Sequence, residues 1–337
     1  MINIATIRDV SKLAGVSVAT VSRVINKKGY VSKETEKAIL DAMKKLNYTP
    51  SDVARRLAGK KSNTIGLIIP NILNPFFPQV ARAAEDIANK LGYNLILCNT
   101  DNSREKENQY YEMLLNKQVD GIIISSYTAT PNELLALIDR GMPIVVLDRE
   151  FKEYDIPSIN VDNRQGGRLA AKHLIECGCK KIAHIAGPTY IESFQDRLLG
   201  FKDYLSEVGL YSPDIIVSSD FSLKDGYEAT KVLVKEKGVD AIFACSDLLA
   251  IGCYKALKEM GYESFEKVKL IGYDGLEANI NYLELSSVAQ PMYGLGKGAV
   301  ELLIKKIEEN SDISKEKIKL QPEIVAREST LPKRVTF

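Results

Sequence analysis

Residues 5–35, ATIRDVSKLAGVSVATVSRVINKKGYVSKET, decide how the rest of the chain is read. Thr6 is a good helix N-cap, Asp9 three residues later completes a capping-box pattern, and Val10, Leu13 and Ala14 then fall on one helical face. Gly15 stops that helix. Ser17 caps a second one, in which Val21, Val24 and Ile25 recur at i, i+3 and i+4. Two short helices separated by Gly15-Val16 predict a helix-turn-helix, whose second helix enters a DNA major groove. A third helix is expected from about Ser32, with Glu34 and Glu36 in its first turn and Ile39, Ala42, Met43 and Leu46 as its buried stripe.

On the second helix the positions not needed for packing are Val18, Ala19, Ser22, Arg23 and Asn26. Arg23 suits a bidentate pair with the O6/N7 edge of guanine, and Val18 and Ala19 are small enough to touch a thymine methyl. Thr6, Thr20 and Asn26 are candidates for phosphate oxygens, which orient a protein on DNA without specifying sequence. Alone, Arg23 would be an ordinary surface arginine; its place on this helix singles it out.

The charge distribution agrees. The 337 residues carry a net charge of +1, but residues 1–61 hold 13 Lys and Arg against 5 Asp and Glu, so the rest of the chain is acidic. A short basic block on an acidic body predicts one end that meets a polyanion. The longest apolar runs, such as Ile65–Pro70, fall well short of the roughly 20 residues of a membrane span. The start MINIATIRDV lacks a secretory pattern, and the five cysteines match neither a disulfide framework nor a metal pair, so a cytoplasmic chain with reduced thiols is expected.

The stretch quoted above resembles the DNA-binding end of the lactose/galactose repressor family. The likeness continues through NYTPSDVARRLAGKKSNTIGLIIP at 47–70 and reaches PEIVAREST at 322–330. The resemblance implies a homodimer on a pseudo-palindromic operator, each subunit placing its second helix in one half-site. It also implies an α/β fold: an N-terminal three-helix domain over 1–50, a hinge helix and linker over 51–61, and a two-lobed domain like the type I periplasmic binding proteins over 62–337. The N-subdomain is expected over about 62–161 and 292–321, and the C-subdomain over about 162–291 and 322–337, each built on a parallel sheet.

Ser51 to Ala58 has a cap at Ser51 and a stop at Gly59, but an isolated helix this short is marginal in water and needs a partner. The resemblance supplies one: paired hinge helices in the minor groove, with Leu57 wedged between base pairs and Arg56 and its basic neighbours near phosphates. Such wedges kink DNA at a cost of a few kcal/mol per step, offset by added contact.

From Asn63 onward short apolar runs alternate with amphipathic ones. Strands are expected at Thr64–Ile69, Asn94–Cys98, Gly121–Ser125, Ile144–Leu147, Lys181–Ala186, Ile215–Ser218, Ala241–Ala244 and Lys269–Gly272, with helices between them. So many strands predict two lobes with a crevice, and ligands of open α/β sheets sit beyond the carboxyl ends of the strands. At those ends stand Asn74, Phe76 and Phe77, then Asp148 and Arg149, Ser246 and Asp247, and Asp274; Arg197 opens a helix and Gln290 lies in a connecting segment. Carboxylates, guanidinium groups and amides satisfy sugar hydroxyls, and aromatic faces cover C–H faces. These residues are similar to the pocket pattern of ribose-type periplasmic binding proteins and the related ribose repressors. Ser246 and Ser125-Ser126 depart from it, standing where asparagines are expected. The resemblance therefore implies a sugar effector, ribose or another pentose.

An enzyme is the first rival reading. The two histidines, His173 and His184, make no metal cluster and no visible catalytic triad, and the glycines at 294, 296 and 298 have the wrong spacing for a dinucleotide loop. Neither an enzymatic activity nor a cofactor or metal is expected. An exported sugar receptor, the second rival, would carry a signal peptide and no basic helix-turn-helix. The terminal LPKRVTF lacks leucine heptads, favouring a dimer over a tetramer. A corepressor-dependent or catabolite-control regulator, the latter with a phosphocarrier partner, is the alternative within the family. The sequence does not decide it.

Overall fold

The computed structural model describes residues 5–25, 29–48, 61–262, 264–276 and 283–331. Asn26, Arg56, Leu57 and the whole expected hinge helix lie outside the described residues. The chain divides into two compact units, Met1–Ser62 and Asn63–Phe337.

In the first unit the helices are α1 (Ile7–Ala14), α2 (Val18–Ile25) and α3 (Lys33–Lys45). The Asp9 carboxylate accepts from the Thr6 backbone N–H at 2.8 Å and from its hydroxyl at 2.7 Å. Gly15 closes α1 at φ 66°, a conformation that costs glycine nothing. Ser17 Oγ accepts from Thr20 N–H at 3.1 Å, and Ser32 Oγ from Thr35 N–H at 3.3 Å, so both expected caps form. Val10, Val21, Ile39 and Ala42 make the core, flanked by Ala14, Val24, Met43 and Leu46. Leu13 corrects the expected stripe: it is 49% exposed, beside Ala38 and Asp41 at the groove between α1 and α3. Helices this short enclose a single layer of side chains, and Val10 already fills it.

The second unit holds two six-stranded sheets. The first has strands β1 (Thr64–Ile69), β2 (Asn94–Asn99), β3 (Gly121–Ile124), β4 (Ile144–Leu147), β5 (Ser158–Val161) and β11 (Lys317–Leu320); the second has β6 (Ile182–Ala186), β7 (Ile216–Ser218), β8 (Ala241–Ala244), β9 (Lys269–Asp274), β10 (Ser286–Ala289) and β12 (Glu323–Val325). Their spatial orders are β11-β5-β4-β3-β1-β2 and β12-β10-β9-β8-β6-β7, the same succession twice. Every pairing is parallel except β10 with β12. The chain crosses between sheets after β5, after β10 and after β11, so three strands link the lobes. The strands β5, β10, β11 and β12 are additions to the eight that periodicity predicts.

The connecting helices are α4 (Phe76–Lys90), α5 (Arg104–Asn116), α6 (Pro131–Asp139), α7 (Asn163–Glu176), α8 (Glu192–Glu207), α9 (Leu223–Lys235), α10 (Asp247–Glu259) and α11 (Met292–Glu309). Two cores cover the first sheet, around Leu67, Phe77 and Leu295 on one side and Ile68, Leu114 and Ile122 on the other; a third, around Phe201, Phe243 and Leu270, fills the second lobe. The position of α8 follows from two glycines. A β-carbon on Gly200 would lie 1.8 Å from the Arg164 carbonyl oxygen, and one on Gly167 would lie 2.0 Å from that of Arg197. Only glycine lets α7 and α8 approach this closely, and that approach sets where Arg197 sits.

Candidate functional site

On the first unit, α2 turns Val18, Ala19 and Arg23 to the surface, with Val18 40% exposed, while Val21 on its other face is fully buried. The hydroxyl of Thr20 shares a 2.8 Å hydrogen bond with Ser17, and that of Thr6 donates to Asp9. Thr6 would have to release Asp9 before donating to a phosphate oxygen. The three outward α2 side chains share one exposed side of the helix.

In the second unit the carboxyl ends of both sheets face one crevice, and four of the expected residues meet there. Arg197, 3% exposed, donates from Nε to Asn163 Oδ1 at 2.8 Å and from Nη1 to the Cys245 carbonyl at 2.7 Å. Its Nη1 stands 3.7 Å from Asp274 Oδ1, and its guanidinium lies 3.7 Å over the Tyr273 ring. Burial works against that charge, but Tyr273, Asp274 and Asp148 hold Arg197 above its ordinary value. Gln290 Nε2 donates to Asp274 Oδ1 at 2.8 Å. Asp148 comes from the other lobe, and its Oδ1 is shut from solvent without a hydrogen-bond partner. Burial pushes its carboxyl up to about 7, with Asp274 and Glu192 adding to the shift and Arg197 opposing it.

The other expected residues stand around this cluster. Asn74 stands two residues before α4, its Oδ1 accepting from the Phe76 N–H at 3.1 Å. Phe76 and Phe77 pack edge to face at 5.0 Å and are 3% and 1% exposed, in the core of the first lobe. Arg149 donates to the carbonyls of Ser126 at 3.3 Å and Ala129 at 3.0 Å and stacks on Phe151. Ser246 Oγ caps α10 at Leu249 N–H. The neighbouring Asp247, fully buried, accepts from Gly275 N–H, Leu276 N–H and Ser287 Oγ at 2.7–2.9 Å. Burial and the charge of Asp274 push the Asp247 carboxyl up.

Sequence reasoning missed Asn163, Tyr127 and Tyr273. Asn163 lies two residues beyond the end of β5, so recognising that strand would have brought it under the same strand-end rule. Tyr127, whose phenol is raised by burial and by Asp148, follows the departure at Ser125-Ser126. Those two serines part ways: Ser126 hydrogen-bonds to the buried Glu107, while Ser125 Oγ is buried with no partner. His184 is a core residue stacked on Phe243 at 4.4 Å, its Nδ1 2.9 Å from that residue's carbonyl oxygen, and burial holds its pKa down at about 3. No helix among the described residues is long and apolar enough to cross a membrane.

Comparison with known proteins adds two family matches. Residues 6–51 match bacterial regulatory proteins of the lacI family, and residues 62–326 match periplasmic binding proteins and the sugar-binding domain of the LacI family. The chain is 45% identical over 327 residues to a ribose operon repressor of Halalkalibacterium halodurans, covering 96% of this chain and 97% of that protein. It is 40% identical to the HTH-type transcriptional repressor PurR of Pasteurella multocida, covering 96% and 98%. Among solved structures, the lac repressor dimer bound to operator and the anti-inducer ONPF superposes with a TM-score of 0.87 at 29% identity, over 98% of this chain and 100% of that one.

Proposed function

Because the chain belongs to the lacI family of bacterial regulatory proteins, we propose that it represses a carbohydrate-utilisation operon in the cytoplasm and leaves its operator when a pentose, ribose foremost, binds between the two lobes. As a member of that family it is a DNA-binding regulator with an effector domain of the sugar-binding type. Its domains in this reading are 1–50 for DNA, 51–61 for the hinge and 62–337 for effector and dimerisation. Val18, Ala19 and Arg23 read base edges, Thr6, Thr20 and Asn26 hold phosphates, and Leu57 and Arg56 work in the minor groove. Two such chains cover the two half-sites of the operator.

One observation carries the sugar assignment. Ser125 Oγ, Asp148 Oδ1 and Gln290 Oε1 are all buried without a partner, and all stand at or just beyond the carboxyl ends of strands, from both lobes. A buried polar atom left unpaired costs about 1–3 kcal/mol. Such a convergence supports a ligand dense in hydroxyls, which donate to some of these atoms and accept from others. Asp148, Arg197, Asp274 and Gln290 then hold its hydroxyls, Arg149, Ser246 and Asn74 border it, and Phe76 and Phe77 back its apolar face. Closure of the lobes on the sugar changes how the two subunits pair and disfavours the hinge helices, so DNA affinity falls.

A thermal-shift panel of pentoses and hexoses tests the assignment. A ligand at 100 times its dissociation constant adds about 2.7 kcal/mol of stability, so D-ribose or a related pentose is expected to raise the melting temperature by several degrees. A shift with a nucleobase and none with any sugar would overturn it.

A further inference from the structure

The crevice carries a second message, about charge. We infer that it selects an uncharged ligand, so that the effector is the free sugar and the phosphorylated sugar is rejected. The inference rests on the sugar reading above and names which chemical form is sensed.

Helix N-termini are ready-made anion sites, because their first N–H groups lack partners and the helix dipole favours negative charge. Three of the helices that begin at this crevice have a first-turn N–H already supplied with a side-chain oxygen. Asn74 Oδ1 takes an N–H at the start of α4, Asp162 Oδ1 one of α7 at 3.0 Å, and Ser246 Oγ one of α10 at 3.3 Å. The start of α8 has no side-chain cap and carries instead the negative charge of Glu192 in its first turn. A phosphate arriving at α4, α7 or α10 would displace a built-in partner, and at α8 it would meet the Glu192 carboxylate.

The two arginines are equally committed. Arg197 is held by Asn163, the Cys245 carbonyl and Asp274, and Arg149 by two backbone carbonyls and the Phe151 ring. A small polar cleft leads outward from Asp148 toward the rim. Among the described residues that line it, the cations Arg149, Lys152 and Lys319 are outnumbered by Asp148, Glu150, Glu192 and Asp196. Lys152 is paired with Glu192 at 3.3 Å across the lobes, and Asp196 lies in the field of both Lys152 and Lys319. Deeper in, Asp247 and Asp274 add two more carboxyls against Arg197 alone.

The crevice therefore disfavours negative charge even on its own side chains, as the raised Asp148 carboxyl illustrates. Among the described residues lining the cleft, a phosphate dianion would find Arg149 and Lys152 already held and Lys319 at the exposed edge in the field of Asp196, whereas sugar hydroxyls offer the donors that Asp148 Oδ1 and Gln290 Oε1 lack. The regulator thus responds to the sugar before any phosphoryl group is attached.

The test is calorimetric titration of the full chain at pH 8 and constant ionic strength with D-ribose and with D-ribose 5-phosphate. The phosphate ester is expected to bind at least a hundredfold more weakly, and Asp148→Asn or Asp274→Asn is expected to narrow that gap. Equal or tighter binding of the ester would overturn the inference while leaving the sugar reading intact. If neither form binds, the sugar reading fails, and inorganic phosphate decides the charge question. Stabilisation no greater than chloride gives at matched ionic strength upholds it, and a saturable stabilisation that Arg149→Gln or Lys319→Ser removes overturns it.

Discussion

Asp148 and Asp274 occupy the same station in the two lobes: each stands at the carboxyl end of the third strand of its sheet, and each has a positive φ, 61° and 120°. Backbone in these regions costs a non-glycine residue about 1–3 kcal/mol and persists where the surroundings over-determine it. The strain aims two carboxyls at one crevice from opposite sides, with Arg197 between their fields. Asp274 has Gln290 as a donor, whereas Asp148 Oδ1 has none, and the first prediction follows from that difference.

A buried carboxyl whose pKa is raised contributes stability that is fully present below its ordinary 3.8 and is lost as pH rises to about 7, beyond which the loss is constant. Asp148→Asn removes the ionisation and keeps the shape. At pH 8 it is expected to raise the melting temperature of the ligand-free chain by roughly 2–4 °C, the effect of about 1 kcal/mol in a unit of this size, and the gain is expected to shrink as pH falls through 7 toward 4. Calorimetric melting across pH 4–8 checks this; a gain that grew on acidification would contradict the assignment.

Sugar hydroxyls that donate to Asp148 favour its ionised form, so binding lowers its pKa and expels a proton. D-ribose affinity is expected to rise between pH 5.5 and 7.5 and then level, with proton release visible as a buffer-dependent binding enthalpy. In Asp148→Asn the part of the rise nearest pH 7 is expected to be lost, leaving a smaller rise from Asp274, whose carboxyl is pushed up to about 6 by burial. The affinity is expected to be roughly ten- to hundredfold lower, as for loss of a hydrogen bond to a charged group.

Arg197→Met deletes a buried cation and leaves Asp274 and Asp148 facing each other. Breaking a buried charge pair from one side costs about 3–5 kcal/mol, so a fall of that size in unfolding free energy is expected, together with loss of sugar binding. Adding Asp274→Asn is expected to recover part of the stability and none of the binding. Denaturant melts of the single and double variants measure both.

Two substitutions separate the DNA contacts from the sensor. Arg23→Ala is expected to weaken operator binding by about 1–3 kcal/mol and to relax preference at one base pair. Leu57→Ala is expected to weaken operator binding without changing sugar affinity, in keeping with a minor-groove wedge. Equal loss of operator and sugar binding in the Leu57 variant would sink the wedge assignment.

Much of this architecture was legible in the chain because short continuous apolar runs and helix caps announce themselves locally: Thr6, Gly15, Ser17 and Ser32 punctuate the first unit as their chemistry demands. Of the strands that escaped, β5, β11 and β12 are only three or four residues long, the last two on half-exposed sheet edges, and β10 is buried through polar side chains. Ser286 and Ser287 of β10 read as loop residues, yet both are fully buried, with Ser286 bonded to the Arg327 carbonyl and Thr330 and Ser287 to Asp247. At the site, single residues at strand ends could be named one by one, but their partnerships could not. Asn163 and Arg197 are 34 positions apart, and only the glycine-permitted approach of α7 and α8 joins them.

The central claim is that sugar binding in the crevice weakens DNA binding by the same chain. Its most direct test is fluorescence-anisotropy titration of the full chain on its operator fragment, at fixed salt, with and without saturating D-ribose. A 5- to 150-fold fall in operator affinity, corresponding to a coupling of about 1–3 kcal/mol, is the predicted result; an affinity that D-ribose and the other pentoses leave unchanged or raise would contradict it.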